Sequence, residues 1–251
     1  MTRSGLQELG TRLGLPLIAF ATLISPALAG PPYQSDDPEP TDYGHYEIYT
    51  FNKGALSGGQ ASGASGIDFN YGAAPNLQLT ATVPAAFESG PESLGAFGFG
   101  NVELAAKYRF LRQDSFGLDV SLFPRLFLPS PSSLGDREAS LLLPIWVQKD
   151  WGDISAFGGG GCQFTITGQS KRLCLYGATV TRQVLPELQL GVEVFHQTTD
   201  FSGARPITTL GAGARYDLSD HYHLLGYVAH DLRELSTADG LSWYAAVLFT
   251  F

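Results

Sequence analysis

Apolar and polar positions alternate one for one along most of this chain. In residues 101–110, Val102, Leu104, Ala106, Tyr108 and Phe110 share one side of an extended backbone, and Glu103, Ala105, Lys107 and Arg109 share the other. In residues 117–128, Leu118, Val120, Leu122, Leu126 and Leu128 oppose Asp119, Ser121, Phe123, Arg125 and Phe127. The same beat sets Leu141, Leu143, Ile145 and Val147 in step, then Leu188, Leu190, Val192 and Val194, then Leu210, Ala212, Ala214 and Tyr216, and also Leu77, Leu79, Ala81 and Val83. Successive side chains of a strand point to opposite faces, so each segment is a strand with one apolar face. Segments of about ten residues, apolar on one side and mixed on the other, form the pattern of a membrane-spanning β-strand. Near residues 45–51 and 222–230 the alternation is poor and the register stays open.

The final stretch, SWYAAVLFTF, puts Trp243, Ala245, Val247, Phe249 and Phe251 in one apolar row; the other register, from Ser242 to Thr250, is mixed. Counting gives about twelve strands, an even number as single-chain barrels of the outer membrane require. The expected fold is all-β, an up-and-down antiparallel transmembrane β-barrel over residues 44–251, with its apolar rows in lipid. A soluble β-sandwich is the competitor, since its strands alternate too. Connections fall into two sets. Short ones lie near residues 72–76, 112–115, 149–152, 184–187 and 218–221. Longer Gly-, Ser- and Pro-rich ones lie near residues 54–60, 88–98, 129–138, 167–172, 198–205 and 232–240. Short periplasmic turns and longer outer loops place both mature termini in the periplasm of a Gram-negative cell.

Residues 1–29 read as a secretory signal peptide. Arg3 and Arg12 precede an apolar core at residues 13–24, and Ala27-Leu28-Ala29 fits the small-residue cleavage rule. The full chain carries a net charge of −9; removing Arg3, Arg12 and Glu8 leaves −10 on the mature chain. That acidity argues against a nucleic-acid partner. The partners expected are outer-membrane lipid and a small-molecule solute. The terminal Phe251 resembles the end of bacterial outer-membrane proteins, which implies recognition of the last strand by the barrel-assembly machinery.

Parity assigns the inward face. Pairing positions that sum to 228 sets Arg109 opposite Asp119, Glu103 opposite Arg125 and Lys107 opposite Ser121. Glu193 and Arg215 also point inward, as do Phe123, Phe127, Trp146 and Phe195. These eleven residues are the expected pore lining. The charges either line a water-filled path or satisfy one another in a filled barrel; the aromatics either suit a partly apolar solute or pack the interior. No cofactor or metal set is expected.

Three further features stand out. The run FGGGGC at residues 157–162 strips side chains from a strand, which marks a kink or a close approach by another group such as the N-terminal segment. Cys162 and Cys174 are symmetric about Gly168, as cross-strand partners joined by a disulfide would be. Residues 30–43 are acidic and proline-rich and cannot be a strand interior; they form either a loose periplasmic tail or a plug, with Asp36, Asp37 and Glu39 reaching towards Lys107 and Arg109.

The stretches PYQSDDPEPTDYGHYEIYTF, NYGAAPNLQL, GFGNVELAAKYRF, LPIWVQKDWG and GVEVFHQT resemble the bacterial outer-membrane proteins of the meta-pathway phenol degradation family. The resemblance covers nearly all of the mature chain. It implies a porin-like barrel with a part in the uptake of aromatic compounds, and it brings no catalytic residues. The rivals to a channel are a barrel enzyme of the lipid hydrolase or acylase type and a non-conducting barrel that binds a ligand. A hydrolase needs a nucleophile beside a base, and the chain has no G-x-S-x-G. His196 with Thr198 and Asp200 is the outer-side cluster to test, while His221 and His223 sit by a short turn. The expectation is a channel and not an enzyme.

Overall fold

The computed structural model describes residues 32–90, 93–132, 134, 136–166, 172–198 and 205–251; the signal-peptide reading and Asp200 lie outside them. Fourteen strand segments follow in order: β1 (Tyr46–Ser57), β2 (Gln60–Ala74), β3 (Leu77–Gly90), β4 (Ser93–Phe99), β5 (Glu103–Leu111), β6 (Asp119–Leu122), β7 (Arg125–Phe127), β8 (Ser140–Trp151), β9 (Ile154–Thr165), β10 (Arg172–Leu185), β11 (Leu188–Gln197), β12 (Ile207–Asp217), β13 (Tyr222–Asp231) and β14 (Leu241–Thr250). Both β4 and β5 pair with β3, and both β6 and β7 pair with β5 and β8. Each couple is one wall strand with a break. Pro124, which has no N–H to give the ladder, stands in the second break. The fourteen segments therefore make twelve antiparallel wall strands.

The wall closes on itself. β1 pairs with β14 from Glu47↔Thr250 to Ala55↔Ser242, so no edge is left to the final strand. Tyr46 and Phe251 exchange backbone hydrogen bonds of 3.0 Å each way, which puts both barrel ends at the short-turn rim. Closure is what a bilayer demands, because hydrocarbon offers no partner to a free N–H or C=O.

The outward face is apolar and bare. Val192 is 57% exposed while its neighbour Glu193 is 1% exposed, and Leu79, Val83, Leu104, Ile145, Val180 and Leu210 repeat the outward exposure. A continuous apolar exterior of this kind exceeds what a protein in water carries. The inward face of each strand holds the polar residues together with two apolar clusters: Tyr49, Phe51, Leu225, Ala246 and Leu248, and Tyr33, Phe157, Tyr227 and Ala229. The inward apolar residues of β1 and β13, Tyr49 and Phe51 on one and Leu225, Tyr227 and Ala229 on the other, blur the alternation of those segments.

Three sequence expectations need correction. Near residues 54–60 there is no long loop; β1 and β2 stay paired to Ser57↔Gln60 around Gly58 (φ 60°) and Gly59 (φ 73°), the left-handed pair of a type I′ hairpin. Near residues 88–98 pairing likewise continues to Gly90↔Ser93. The β5–β6 register is two residues off: Arg109 opposes Ser121, Ala105 opposes Arg125 and Glu103 opposes Phe127. The reason is the short turn at 112–115, which is a single helical turn, α1 (Gln113–Phe116), closed by Gly117 at φ 82°. It sets Leu111 opposite Val120, and an irregularity between Arg109 and Leu111 takes one residue back, so the strands beyond run two residues off. A two-residue slip leaves every side chain on its face.

Candidate functional site

The interior is occupied by chain. Residues 32–44 leave the rim and run inside the wall. Their bed is cleared by glycine on three consecutive strands. A Cβ at Gly177 on β10 would fall on Ser35 Oγ, one at Gly191 on β11 would fall on Tyr33 Oη, and one at Gly213 on β12 would come within 2.9 Å of the Tyr33 ring. The glycine run of β9 lies beside this bed: Gly159 pairs with Gly177 on one side and with Trp146 on the other, and the Tyr33 ring packs 5.9 Å from Phe157 at the start of the run.

Glu193 holds the segment at this bed. It accepts hydrogen bonds from Ser35 N (2.6 Å), Gln34 N (3.1 Å), Thr179 Oγ1 (3.2 Å) and the Tyr227 hydroxyl. Two backbone amides thus end on one buried carboxylate. Gln34 Nε2 reaches Thr209 Oγ1 and Tyr227 Oη, both at 3.2 Å, and Tyr33 Oη donates to Gly213 O. Further on, Thr41 N donates to Gln78 Oε1 at 2.8 Å.

Between these anchors lie the acids. Asp36 is 2.8 Å and Asp37 3.6 Å from Lys107 Nζ; Glu39 is 3.4 Å from Arg109 Nη1. Burial pushes the Asp37 carboxyl well above its ordinary value, with Lys107 pulling the other way, and burial raises Glu39 as well. Two carboxylates around one ammonium favour keeping a proton on the more buried of them.

The register correction leaves the wall's own pairs intact as diagonal neighbours. Arg125 meets Glu103 through two bonds, Nε–Oε1 at 2.6 Å and Nη2–Oε2 at 2.8 Å, and Arg109 lies 3.5 Å from Asp119. Lys107 does not face Ser121 and turns to the segment instead. Phe123 lies under two cations, 5.0 Å from Lys107 and 5.4 Å from Arg125, and Phe127 is 5.8 Å from Arg125. Trp146 and Phe195 are buried inward. Arg215 joins Asp217 at 2.8 Å and the His223 ring at 3.1 Å near the short-turn rim. His223 also touches Thr250 Oγ1, but that hydroxyl donates to the Asp220 carbonyl, so the cluster braces the final strand rather than activating a nucleophile. On the other rim His196 is bound to Thr208, and Thr198 Oγ1 accepts from Cys174 N. Cys162 and Cys174 form a disulfide across β9 and β10.

Beside the segment a cavity of about 780 Å³ remains, bounded by the inner faces of β1–β3, β5 and β11–β14. Its walls include Glu103, Lys107, Phe123, Arg125, Phe195 and Arg215 from the sequence-read lining. They also include Tyr49, Phe51, Lys53, Asp68 and Tyr244, which sequence reasoning missed. The signal for the last group was weak because β1 has no alternation to read and Tyr244 lies in the mixed register of the last strand.

No family model matches the chain, and no curated protein sequence matches it. Solved structures do resemble its fold. The COG4313 outer membrane channel from Pseudomonas putida F1 superposes with a TM-score of 0.63 at 16% identity, over 86% of this chain and 98% of that one. The NanC porin gives 0.57 at 7% identity over 81% and 98%, and the KdgM porin 0.56 at 12% over 82% and 99%. At such identities the likeness is one of fold: a closed twelve-stranded antiparallel barrel of the outer-membrane kind.

Proposed function

We propose that this protein is a narrow channel of the Gram-negative outer membrane for small, partly apolar or aromatic solutes, with residues 32–44 acting as a plug inside the lumen and both mature termini on the periplasmic side. The observation that carries the reading is the cavity beside that segment. It is a space lined by paired charges and aromatic rings, inside a closed wall whose exterior is apolar. Porin-like structures share the fold, and the resemblance to the meta-pathway phenol degradation family supports an aromatic solute. In this reading the final strand, ending at Phe251, is what the assembly machinery takes up.

Planar-bilayer conductance of the mature chain and of a variant lacking residues 32–42 tests the proposal. The deletion should raise single-channel conductance several-fold, since the removed residues run through the lumen, line its cavity and engage Lys107 and Arg109. Heat-modifiable migration on a gel shows whether the variant still forms a barrel. A folded deletion variant with the conductance of the parent would overturn the plug, and no conductance in either would favour a non-conducting barrel.

A further inference from the structure

Two charges in the lumen stand open. Lys53 projects inward from β1 with Nζ 5.5 Å from the centre of the Phe51 ring, and among the described residues its ammonium makes no hydrogen bond or ion pair. Asp68 projects inward from the adjacent β2; it accepts one hydrogen bond, from Thr82 Oγ1 at 3.1 Å, and no described cation lies within ion-pair distance. The neighbouring charges, Arg125 and Glu103, are bonded to each other through two hydrogen bonds. An aromatic shelf completes the place: the Phe51 and Tyr244 rings stack with centroids 6.2 Å apart and 10° between planes. All of these residues line the same cavity.

An ion facing a cavity is stabilised by a partner of opposite sign, and here the wall supplies one ion of each sign without a bonded partner, four ladder positions apart on β1 and β2, beside an apolar surface. A simple anion would answer Lys53 but meet Asp68 as a like charge; a simple cation would have the reverse problem. A solute carrying both charges answers both. The geometry points to a subsite for a small aromatic zwitterion, an α-amino acid with an aromatic side chain. Its carboxylate lies towards Lys53, its ammonium towards Asp68 and its ring on the Phe51–Tyr244 shelf. The transport half of this assignment rests on the channel reading above; binding does not.

The test uses the full mature chain. Calorimetric titration in detergent compares L-phenylalanine with phenylacetate, which lacks the ammonium, and phenethylamine, which lacks the carboxylate. L-Phenylalanine should bind more tightly than either. Lys53→Gln and Asp68→Asn should each weaken it roughly fivefold, the effect of losing one partly exposed ion contact. In liposomes the ratio of L-phenylalanine to arabinose swelling rates should fall by a similar factor. Phenylacetate binding as tightly as L-phenylalanine, or both variants binding it like the parent, overturns the subsite. Arabinose entry without any preference for L-phenylalanine overturns the subsite and leaves the channel standing. Retained preferential binding with no arabinose entry does the opposite.

Discussion

Glu193 offers the sharpest test of how the N-terminal segment is held. Its carboxylate is 1% exposed and accepts two backbone N–H groups of the segment, at 2.6 and 3.1 Å. The substitution Glu193→Gln keeps shape and volume but replaces one acceptor oxygen with a donor. One segment amide then exchanges a charge-assisted bond for a neutral one, a loss of about 1 kcal/mol. The other meets an N–H and is left without a partner, at about 1–3 kcal/mol. The sum, about 2–4 kcal/mol, lowers the ratio of docked to released segment by roughly 30- to 700-fold. The wall itself should hardly notice, because Thr179 and Tyr227 each supply hydroxyls that can donate or accept. A cysteine in place of Ser35, which is buried in the docked state and whose hydroxyl makes no hydrogen bond among the described residues, reports the change, since the two native cysteines are joined to each other. Its reaction with a membrane-impermeant maleimide should accelerate in the Glu193→Gln background, and single-channel records should show longer or larger open events. Equal labelling rates and equal conductance, in a variant that still migrates as a folded barrel, would refute the assignment of Glu193 as the holding point.

Other outcomes follow from the same geometry. Gly191→Leu places a side chain where Tyr33 Oη lies, so it should release the segment and raise conductance while Gly226→Leu, at an open position, should not; this is read in bilayers. Replacing both Cys162 and Cys174 by Ser should lower the thermal midpoint, with a loss of no more than about 3 kcal/mol from an eleven-residue loop, and leave the barrel intact by gel migration. Docking should depend on pH. Asp37 and Glu39 have raised values in the docked state against ordinary ones of 3.8 and 4.5, so the docked form binds more protons. Its stability is then full below the ordinary values and declines as pH rises through the raised ones. Conductance should therefore fall on mild acidification from neutral, and the variant lacking residues 32–42 should show no such trend.

Where one face alone was apolar, as in residues 102–110, 188–197 and 207–217, the period of two determined both the strand and the side of the wall each residue meets. Inward placement of Glu103, Lys107, Arg109, Glu193 and Arg215 followed from parity alone. So did the pairing of Cys162 with Cys174, because a hairpin's centre fixes its partners. What depended on three dimensions was everything set by crossing the lumen. The bed of Gly177, Gly191 and Gly213 is scattered over three strands and becomes one surface only when they lie side by side. The slip from Asp119 to Ser121 opposite Arg109 came from a helical turn whose length the composition of residues 112–115 did not reveal. Lys53 and Asp68 came to share one cavity with Glu103 and Arg125 only once the ring had closed, and Lys107 turned from the wall to Asp36 only because the segment lies within it. Local alternation encodes which way a side chain points; which partner it then finds is decided by the closed ring of twelve strands and by the segment folded within it.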